Sequence, residues 1–263
     1  VSRIAIEDVK ILDSSDLGRG NYRLILGPFS RSRSIMAGQF VHLQVPGGSV
    51  FFRRAFSVYD VNPEEKTLEI LFKVFGRGTA LLAKCRRGDT VNLMGPLGHG
   101  FDPPGKKESV ILAAGGIGMP PLYFLAKQMI QKKHESDKIH FFYGGNCRAD
   151  LIEVARIKKL GVKLHLSTDD GSFGFKGFVT SAIKEYLENN KGNYRLYACG
   201  PTGMLKAIDH LAQERTIPGQ LSLEAPMPCG IGVCLGCVLP LTSGGYTRVC
   251  REGPVYDIGE VLL

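Results

Sequence analysis

The stretch Ser109-Val-Ile-Leu-Ala-Ala-Gly-Gly-Ile-Gly-Met-Pro-Pro121 decides the reading of the middle of the chain. Val110 to Ala114 form a short continuous apolar run, the pattern of a strand buried on both faces of a parallel sheet. Three glycines then turn the chain without Cβ obstruction. Pro121 opens a helix reaching to about Lys133, because first-turn N–H groups have no intrahelical partner to lose. The alternation continues downstream. Strands are predicted at 139–143, 162–167, 194–198 and 220–223, with helices near 150–159, 181–189 and 202–214. Strand–helix alternation of this kind predicts a doubly wound α/β domain that binds a nucleotide at its strand ends. The turn at 115–120 is not the standard G-x-G-x-x-G, because the third glycine is absent. Taken alone, it reads equally as a generic glycine-rich turn.

Upstream, residues 1–101 read as strands. Residues 39–45 alternate, with Val41, Leu43 and Val45 on one face. Residues 67–74 do the same through Leu68, Ile70, Phe72 and Val74, and residues 90–94 form another short strand. Turn signals at 46–48, 62–63 and 87–89 separate them, which predicts a small antiparallel barrel. A short helix is expected after Gly78, with Thr79 as its N-cap. Within the barrel, Arg54-Ala-Phe-Ser57 would pass as ordinary strand residues. Gly76-Arg-Gly-Thr79, where a strand ends and a helix opens, offers a place for phosphate, and Arg54 is suited to pair with the same group.

Downstream, Cys229-Gly-Ile-Gly-Val-Cys234-Leu-Gly-Cys237 and then Cys250 give the spacing C-x4-C-x2-C-x12-C. That is the four-thiolate pattern of a plant-type two-iron loop. Between Cys229 and Cys250 there is one charged residue, Arg248, and no carboxylate. The absence of acids adds no repulsion to an already anionic cluster and leaves backbone N–H groups as donors to sulfur. Gly230, Gly232 and Gly236 allow a tight backbone there. Structural zinc, disulfides and inert core thiols are the competing readings. Zinc sites usually combine two C-x2-4-C pairs, and only Cys234/Cys237 forms one here.

The bulk properties fit this division. The chain has 263 residues, enough for about two domains with cores of their own. The composition is ordinary globular, at 44% hydrophobic and 22% charged, with 33 glycines and no tryptophan. The seven cysteines are an odd number, and the mixed polar and apolar start does not read as a signal peptide, so a reducing cytoplasm is expected. The net charge of +8 reads as a solvated basic surface or as cations that meet cofactor phosphates or an acidic partner. No basic run marks nucleic-acid binding. The uncharged runs 109–126 and 225–247 are broken by glycine and proline, so no membrane span is expected. The expected domains are 1–102 (the antiparallel barrel), 103–221 (a nucleotide domain) and 222–263 (a cluster segment).

Together these motifs resemble the ferredoxin–NADP reductase superfamily. Arg54-Ala-Phe-Ser57 is similar to its RxYS motif, with phenylalanine in place of tyrosine, and Gly95-Pro-Leu-Gly98 is similar to its GPxG element. Gly115 to Pro121 resembles GGxGxxP, and Cys199-Gly-Pro-Thr-Gly-Met204 resembles CGPxxM. With the cysteine-rich ending and Val249-Cys-Arg-Glu-Gly-Pro-Val-Tyr256, nearly the whole chain resembles the electron transfer subunits of class 1B dihydroorotate dehydrogenases. The resemblance implies a chain that takes hydride from NADH onto FAD. Electrons then pass singly through a 2Fe-2S cluster to an FMN-containing catalytic subunit, in a heterotetramer of two chains of each kind, in pyrimidine biosynthesis. It implies FAD contacts by Arg54, Ala55, Phe56, Ser57, Leu71, Phe72, Lys73, Gly78 and Thr79. It implies nucleotide contacts by Gly115, Gly116, Gly118, Asp169, Cys199, Gly200 and Pro201, and cluster ligands Cys229, Cys234, Cys237 and Cys250. Ser57 is expected to tune the flavin and Cys199 to place the nicotinamide. Glu224 either borders the flavin or nicotinamide or is a solvated strand-end carboxylate. Where NADP-dependent members carry an arginine for the 2′-phosphate, this chain has Asp169 beside Asp170, which implies NADH. Residues 233–241, uncharged and apolar, are expected either near a partner contact or packed over the cluster. The alternatives are an FAD/2Fe-2S subunit of a cytoplasmic hydrogenase or bifurcating NAD(P) oxidoreductase, and a non-enzymatic iron–sulfur or zinc protein.

Overall fold

The computed structural model describes residues 4–48, 50–105 and 108–263. Strands β1 (Ala5–Gly18), β2 (Asn21–Gly27), β3 (Phe40–Leu43), β4 (Arg54–Asn62), β5 (Thr67–Lys73) and β6 (Thr90–Leu97) close into an antiparallel barrel of order β1-β2-β5-β4-β3-β6. The alternation seen in the sequence fills it: Val41, Leu43, Leu68 and Ile70 are buried in one cluster. A short helix, α1 (Arg77–Leu82), bridges β5 and β6. Its N-cap is Gly76 and not Thr79, which corrects the expectation. Thr79 lies one turn inside, and its hydroxyl accepts the N–H groups of Phe75 (3.0 Å) and Gly76 (3.2 Å). The extended backbone at Gly76 lets the hydroxyl reach back across the turn.

The middle of the chain is a seven-stranded sheet. Its elements are β7 (Ser109–Gly115), α2 (Met119–Gln131), β8 (Ile139–Gly145), α3 (Val154–Lys159), β9 (Lys163–Thr168), β10 (Phe175–Lys176), α4 (Val179–Asn189), β11 (Tyr194–Cys199), α5 (Thr202–Glu214) and β12 (Gly219–Ser222). The strand order is β10-β9-β8-β7-β11-β12, parallel throughout, so the winding reverses on either side of β7. A crevice forms at such a reversal, beyond the strand ends. Helix α2 begins two residues before Pro121, after a single 3-10 turn at 116–118. Helix α3 is shorter than the predicted 150–159 because Glu153 sits in the left-handed region (φ 57°) and breaks the segment in two.

The last forty residues are fixed to both units. Strands β13 (Val238–Pro240) and β14 (Tyr246–Arg248) form a hairpin, and β15 (Val255–Asp257) adds antiparallel to β12 at the edge of the sheet. The barrel and the sheet are joined by an ion cluster. Lys127 on α2 reaches Asp60 on β4 at 2.6 Å, and Arg156 on α3 reaches Asp60 (3.1 Å) and Glu69 on β5 (2.6 Å). The Arg156 guanidinium also lies 4.7 Å from the Tyr59 ring centre. Such a cluster is costly to desolvate and contributes orientation more than stability. Here it fixes how the barrel faces the sheet. Among the described residues, no helix is long and apolar enough to cross a membrane.

Candidate cofactor cavities and cysteine loop

Two adjoining cavities, of about 250 and 760 Å³, open where the barrel meets the sheet crevice. Lys73, Phe75, Ile117 and Glu224 line both. The smaller is walled on one side by β4 and β5, through Arg54, Ala55, Phe56, Ser57, Leu71, Phe72 and Lys73, with Thr79 of α1. Cys199 at the end of β11 lines it from the sheet side. The larger is walled by Gly115, Gly116 and Gly118 after β7, by Asp169 after β9, and by Gly200 and Pro201 after β11. Gly78 lines neither cavity and instead backs Arg54: a Cβ there would stand 2.8 Å from its Nε.

The walls suit the groups that the sequence implies. Arg54 donates only to the carbonyls of Phe52 (2.9 Å) and Arg53 (3.2 Å) and pairs with no carboxylate among the described residues, which leaves its charge for an anion. The thirteen-residue helix α2 points its N-terminus into the larger cavity, a favourable end for phosphate. Gly118 is the tightest position of that turn. A Cβ there would lie 2.4 Å from the Cys199 carbonyl oxygen, so glycine is what brings the two strand ends together.

The electrostatics separate the acidic groups. Cys199 is buried, and its thiol pKa is pushed up to about 12 by burial and then by the Glu224 carboxylate. It is a neutral, shape-defining group. Glu224 is exposed to the cavity, yet the surrounding walls raise its pKa. Of the two aspartates after β9, Asp169 faces the larger cavity, while Asp170 accepts the Ser172 N–H (2.8 Å) and closes its own turn. The Ser172 hydroxyl first, and then its N–H, lower the pKa of Asp170. Arg148 lies over the Phe173 ring at 5.0 Å and does not line either cavity.

The cysteines form a separate loop beside the smaller cavity. Residues 222–227 run along the wall of that cavity, and Cys229 follows two residues later. The thiols stand as two pairs. Cys229 neighbours Cys234 and Cys250 neighbours Cys237, all as free thiols; the Cys237 sulfur accepts the Cys250 N–H and the Cys234 sulfur the Gly236 N–H, each at 3.4 Å. Burial raises the pKa of Cys229, but N–H groups of Cys234, Ile231 and Val233 aimed at its sulfur prevail and lower it to about 6. Two thiolates per iron and backbone donors to sulfur are what a two-iron cluster uses. Among the described residues no three His, Cys, Asp or Glu side chains, the four cysteines included, are drawn together closely enough to hold a metal ion. Arg248 ties the loop down, donating to the Gly232 carbonyl at 3.1 Å and pairing with Glu252. Of the apolar run 233–241, Val233 and Leu235 are exposed (73% and 60%), whereas Leu239 and Leu241 pack against the core.

Sequence reasoning missed several wall residues: Phe40, Ser222, Met227 and Pro254 in the smaller cavity, and Asn21, Asp150 and Phe178 in the larger. Most arrive through strand order and carry no local signal. Asp150 alone had one, as a carboxylate just beyond a strand end.

Residues 224–262 match the iron-sulfur cluster binding domain of dihydroorotate dehydrogenase B, residues 112–210 an oxidoreductase NAD-binding domain, and residues 19–101 an oxidoreductase FAD-binding domain. Proteins named dihydroorotate dehydrogenase B (NAD(+)), electron transfer subunit, are similar over almost their whole length. The one from Shouchella clausii is 35% identical over 96% of both chains, and the one from Fusobacterium nucleatum 37% identical over 98% of this chain and 99% of its own. Among solved structures, an NADH-dependent reduced ferredoxin-NADP oxidoreductase, described for flavin-based electron bifurcation, aligns with a TM-score of 0.85 at 29% identity. That alignment covers 97% of this chain and 89% of the other. A Neisseria gonorrhoeae ferredoxin NADP+ reductase with bound FAD and NADP shares the fold, with a TM-score of 0.68 at 22% identity over 80% of this chain and 91% of its own.

Proposed function

The chain belongs to the family of dihydroorotate dehydrogenase B electron transfer subunits, and from that premise we propose how its residues divide the work. It carries electrons between NADH and the catalytic subunit of a dihydroorotate dehydrogenase, in pyrimidine biosynthesis. FAD, when bound, supplies the conversion between two-electron hydride chemistry and one-electron transfer, and the cluster supplies the single-electron step outward. Arg54 and Thr79 hold the FAD diphosphate. Phe56, Leu71, Phe72 and Lys73 hold the flavin end, and Ser57 hydrogen-bonds the ring. Gly115, Gly116 and Gly118 receive the pyrophosphate of NADH, and Asp169 accepts the ribose hydroxyls. Cys199, Gly200 and Pro201 shape the nicotinamide position. The Cys199 thiol, kept neutral, fills space without offering a competing nucleophile. Glu224 stands where the two cavities meet and polarises that boundary. Cys229, Cys234, Cys237 and Cys250 hold the cluster.

One observation carries this reading. The chain leaves the cavity wall at Met227 and reaches the first thiol at Cys229, so cavity and cluster loop are covalently adjacent. The exposed apolar side chains of Val233 and Leu235 beside the thiols suit a desolvated contact with the FMN-containing subunit. A heterotetramer of two chains of each kind and a reducing cytoplasm complete the proposal. The TM-score of 0.85 with the bifurcating enzyme favours a second reading, a subunit of a bifurcating oxidoreductase or hydrogenase. The 35–37% identities to the electron transfer subunits weigh against it.

Among the described residues there is no (β/α)8 barrel. The purified chain alone should therefore reduce ferricyanide with NADH and leave dihydroorotate untouched. Adding the cognate FMN subunit should couple dihydroorotate to NAD reduction, followed by absorbance of NADH. Dihydroorotate oxidation by the chain alone refutes the division of labour. No coupling with a verified cognate subunit moves the weight to the second reading.

A further inference from the structure

The cysteine loop leans on one histidine to which no role has yet fallen. On β3, Val41 and Leu43 fill the barrel, while Phe40 and His42 face the other way, with their rings 5.5 Å apart. Phe40 lines the smaller cavity. His42 lies against Gly230, the residue after Cys229. A Cβ on Gly230 would stand 2.6 Å from His42 Cε1, 2.9 Å from Nδ1 and 3.0 Å from Nε2. The ring edge that carries both nitrogens therefore faces the first turn of the loop.

That edge is out of place in an ordinary core. His42 is fully buried, and neither ring nitrogen has a hydrogen-bond partner among the described residues. A neutral imidazole carries one N–H and one lone pair, and a buried N–H without an acceptor is expensive. Buried polar groups left unpaired in a folded chain call for an explanation. The loop between the ligands contains no carboxylate, and no cysteine sulfur bonds either ring nitrogen, so an anionic acceptor for this edge would have to come with the group the loop holds. Phe40 and His42 share one face of a four-residue strand, so the histidine also stands between the flavin cavity and the loop.

We propose that His42 donates a ring N–H to a sulfur of the iron–sulfur cluster and so favours the cluster's reduced state. The inference rests on the reading that the four cysteines hold a two-iron cluster. A hydrogen bond to sulfur stabilises the added negative charge of the reduced state, which is how outer-shell donors raise a cluster's potential. The position also explains the glycine. Any side chain at 230 would displace the imidazole edge from the turn it serves.

The test uses the full chain with its cofactors, under anaerobic conditions, and reads the cluster directly. In an EPR-monitored redox titration, His42→Leu should weaken cluster reduction about tenfold, a fall of about 59 mV for one electron. His42→Gln, which keeps an N–H donor, should recover most of that loss. Pulsed EPR on the reduced wild-type protein labelled with 15N-histidine should show a weak 15N coupling that disappears in both variants. An unchanged midpoint in cluster-loaded His42→Leu overturns the inference, and so does a wild-type spectrum insensitive to 15N-histidine. If the variants fail to load the cluster, the wild-type labelling result decides alone. A wild-type protein with no two-iron signal overturns the cluster reading and this inference with it, a result distinct from a cluster that is present and uncoupled to histidine.

Discussion

The cysteine loop and the cofactor cavities lie side by side and are built in opposite ways. The loop is one contiguous stretch whose chemistry resides in four side chains. Its backbone is bent through left-handed residues, Gly230 (φ 71°), Gly232 (φ 80°) and Leu235 (φ 58°), and its crest is exposed. The cavities draw their walls from β4, β5, and the turns after β7, β9 and β11. No wall segment is distinctive alone, and much of the chemistry is close backbone approach. A ligand set is all-or-none, because a cluster short of one thiolate has no substitute donor. A wall is graded, because neighbours share the work. Substitutions in the two regions should differ accordingly.

The largest effect belongs to the loop. Cys250→Ala should abolish the two-iron spectrum and electron transfer to the FMN subunit while NADH:ferricyanide activity persists. Cys85→Ser, in the barrel unit, and Cys147→Ser, on the nucleotide domain, should leave the spectrum intact. Iron and sulfide content with visible absorption would check all three. A retained two-iron spectrum in Cys250→Ala would remove the distinction between the regions, since Cys250 is buried with no spare thiol beside it except its partner Cys237.

This contrast also accounts for what the sequence made legible. The cysteine spacing could be read because ligands of one cluster must lie close in the chain. The helix Thr202–Glu214 lies where the sequence places it, opening directly after the Cys-Gly-Pro turn. Helix α3 was overextended because the left-handed Glu153 has no signature in composition. Strand β15 was missed because it exists only through edge pairing with β12, a long-range event. The same reason hid Ser222 and Pro254 as cavity walls. His42 looked like one more residue of an alternating strand, and only the fold reveals that it faces the loop and not solvent.

Two glycines sharpen the comparison. At Gly118 an added Cβ would meet backbone: the Cys199 carbonyl at 2.4 Å and the Gly200 nitrogen at 2.6 Å. At Gly230 it would meet a side chain, His42, in a left-handed backbone. Backbone at a strand end cannot step aside, whereas an imidazole can tilt. Gly118→Ala should therefore destabilise by about 3 kcal/mol and raise KM for NADH, and Gly230→Ala by about 1–2 kcal/mol with NADH binding unaffected. Urea unfolding and steady-state kinetics with ferricyanide would read both. Equal costs would mean that the turn after β7 yields more than its contacts imply.

Nucleotide choice is a smaller, graded effect of the cavity wall. Asp169 faces the larger cavity, Asp150 also lines it but is ion-paired with Arg19 at 3.1 Å, and Arg148 is stacked on Phe173. A 2′-phosphate would enter against the Asp169 carboxylate, since Asp150 is already paired with Arg19. NADH should be preferred to NADPH by at least about tenfold in kcat/KM, roughly 1.4 kcal/mol at the transition state. Asp169→Asn should narrow the gap from the NADPH side. A kcat/KM for NADPH equal to that for NADH would show that Arg148 leaves its ring to meet the phosphate.

The smallest effect lies in the sheet beneath the cavities, far from the loop. His140 on β8 is buried, its Nδ1 3.4 Å from His165 Nε2 and its Nε2 3.1 Å from the Tyr186 hydroxyl. Burial first, then His165 and Lys163, lower its pKa to about 4. The unfolded chain takes up the proton near the ordinary histidine value of about 6.5, whereas the folded chain resists until about pH 4. Between those values the unfolded state holds more protons, so stability rises with pH and is lost as pH falls through this window. Discounted for partial screening by solvent at the start of the strand, this leaves about 1 kcal/mol between pH 7 and pH 5. Replacing His140 with phenylalanine should remove that share of the acid sensitivity, at a pH-independent cost from the lost Tyr186 bond. Urea midpoints of wild type and His140→Phe at pH 7 and pH 5 would measure the difference. Parallel losses in the two proteins would mean that His140 is already protonated in the folded sheet, where Tyr186 and Tyr194 would then have to carry its charge.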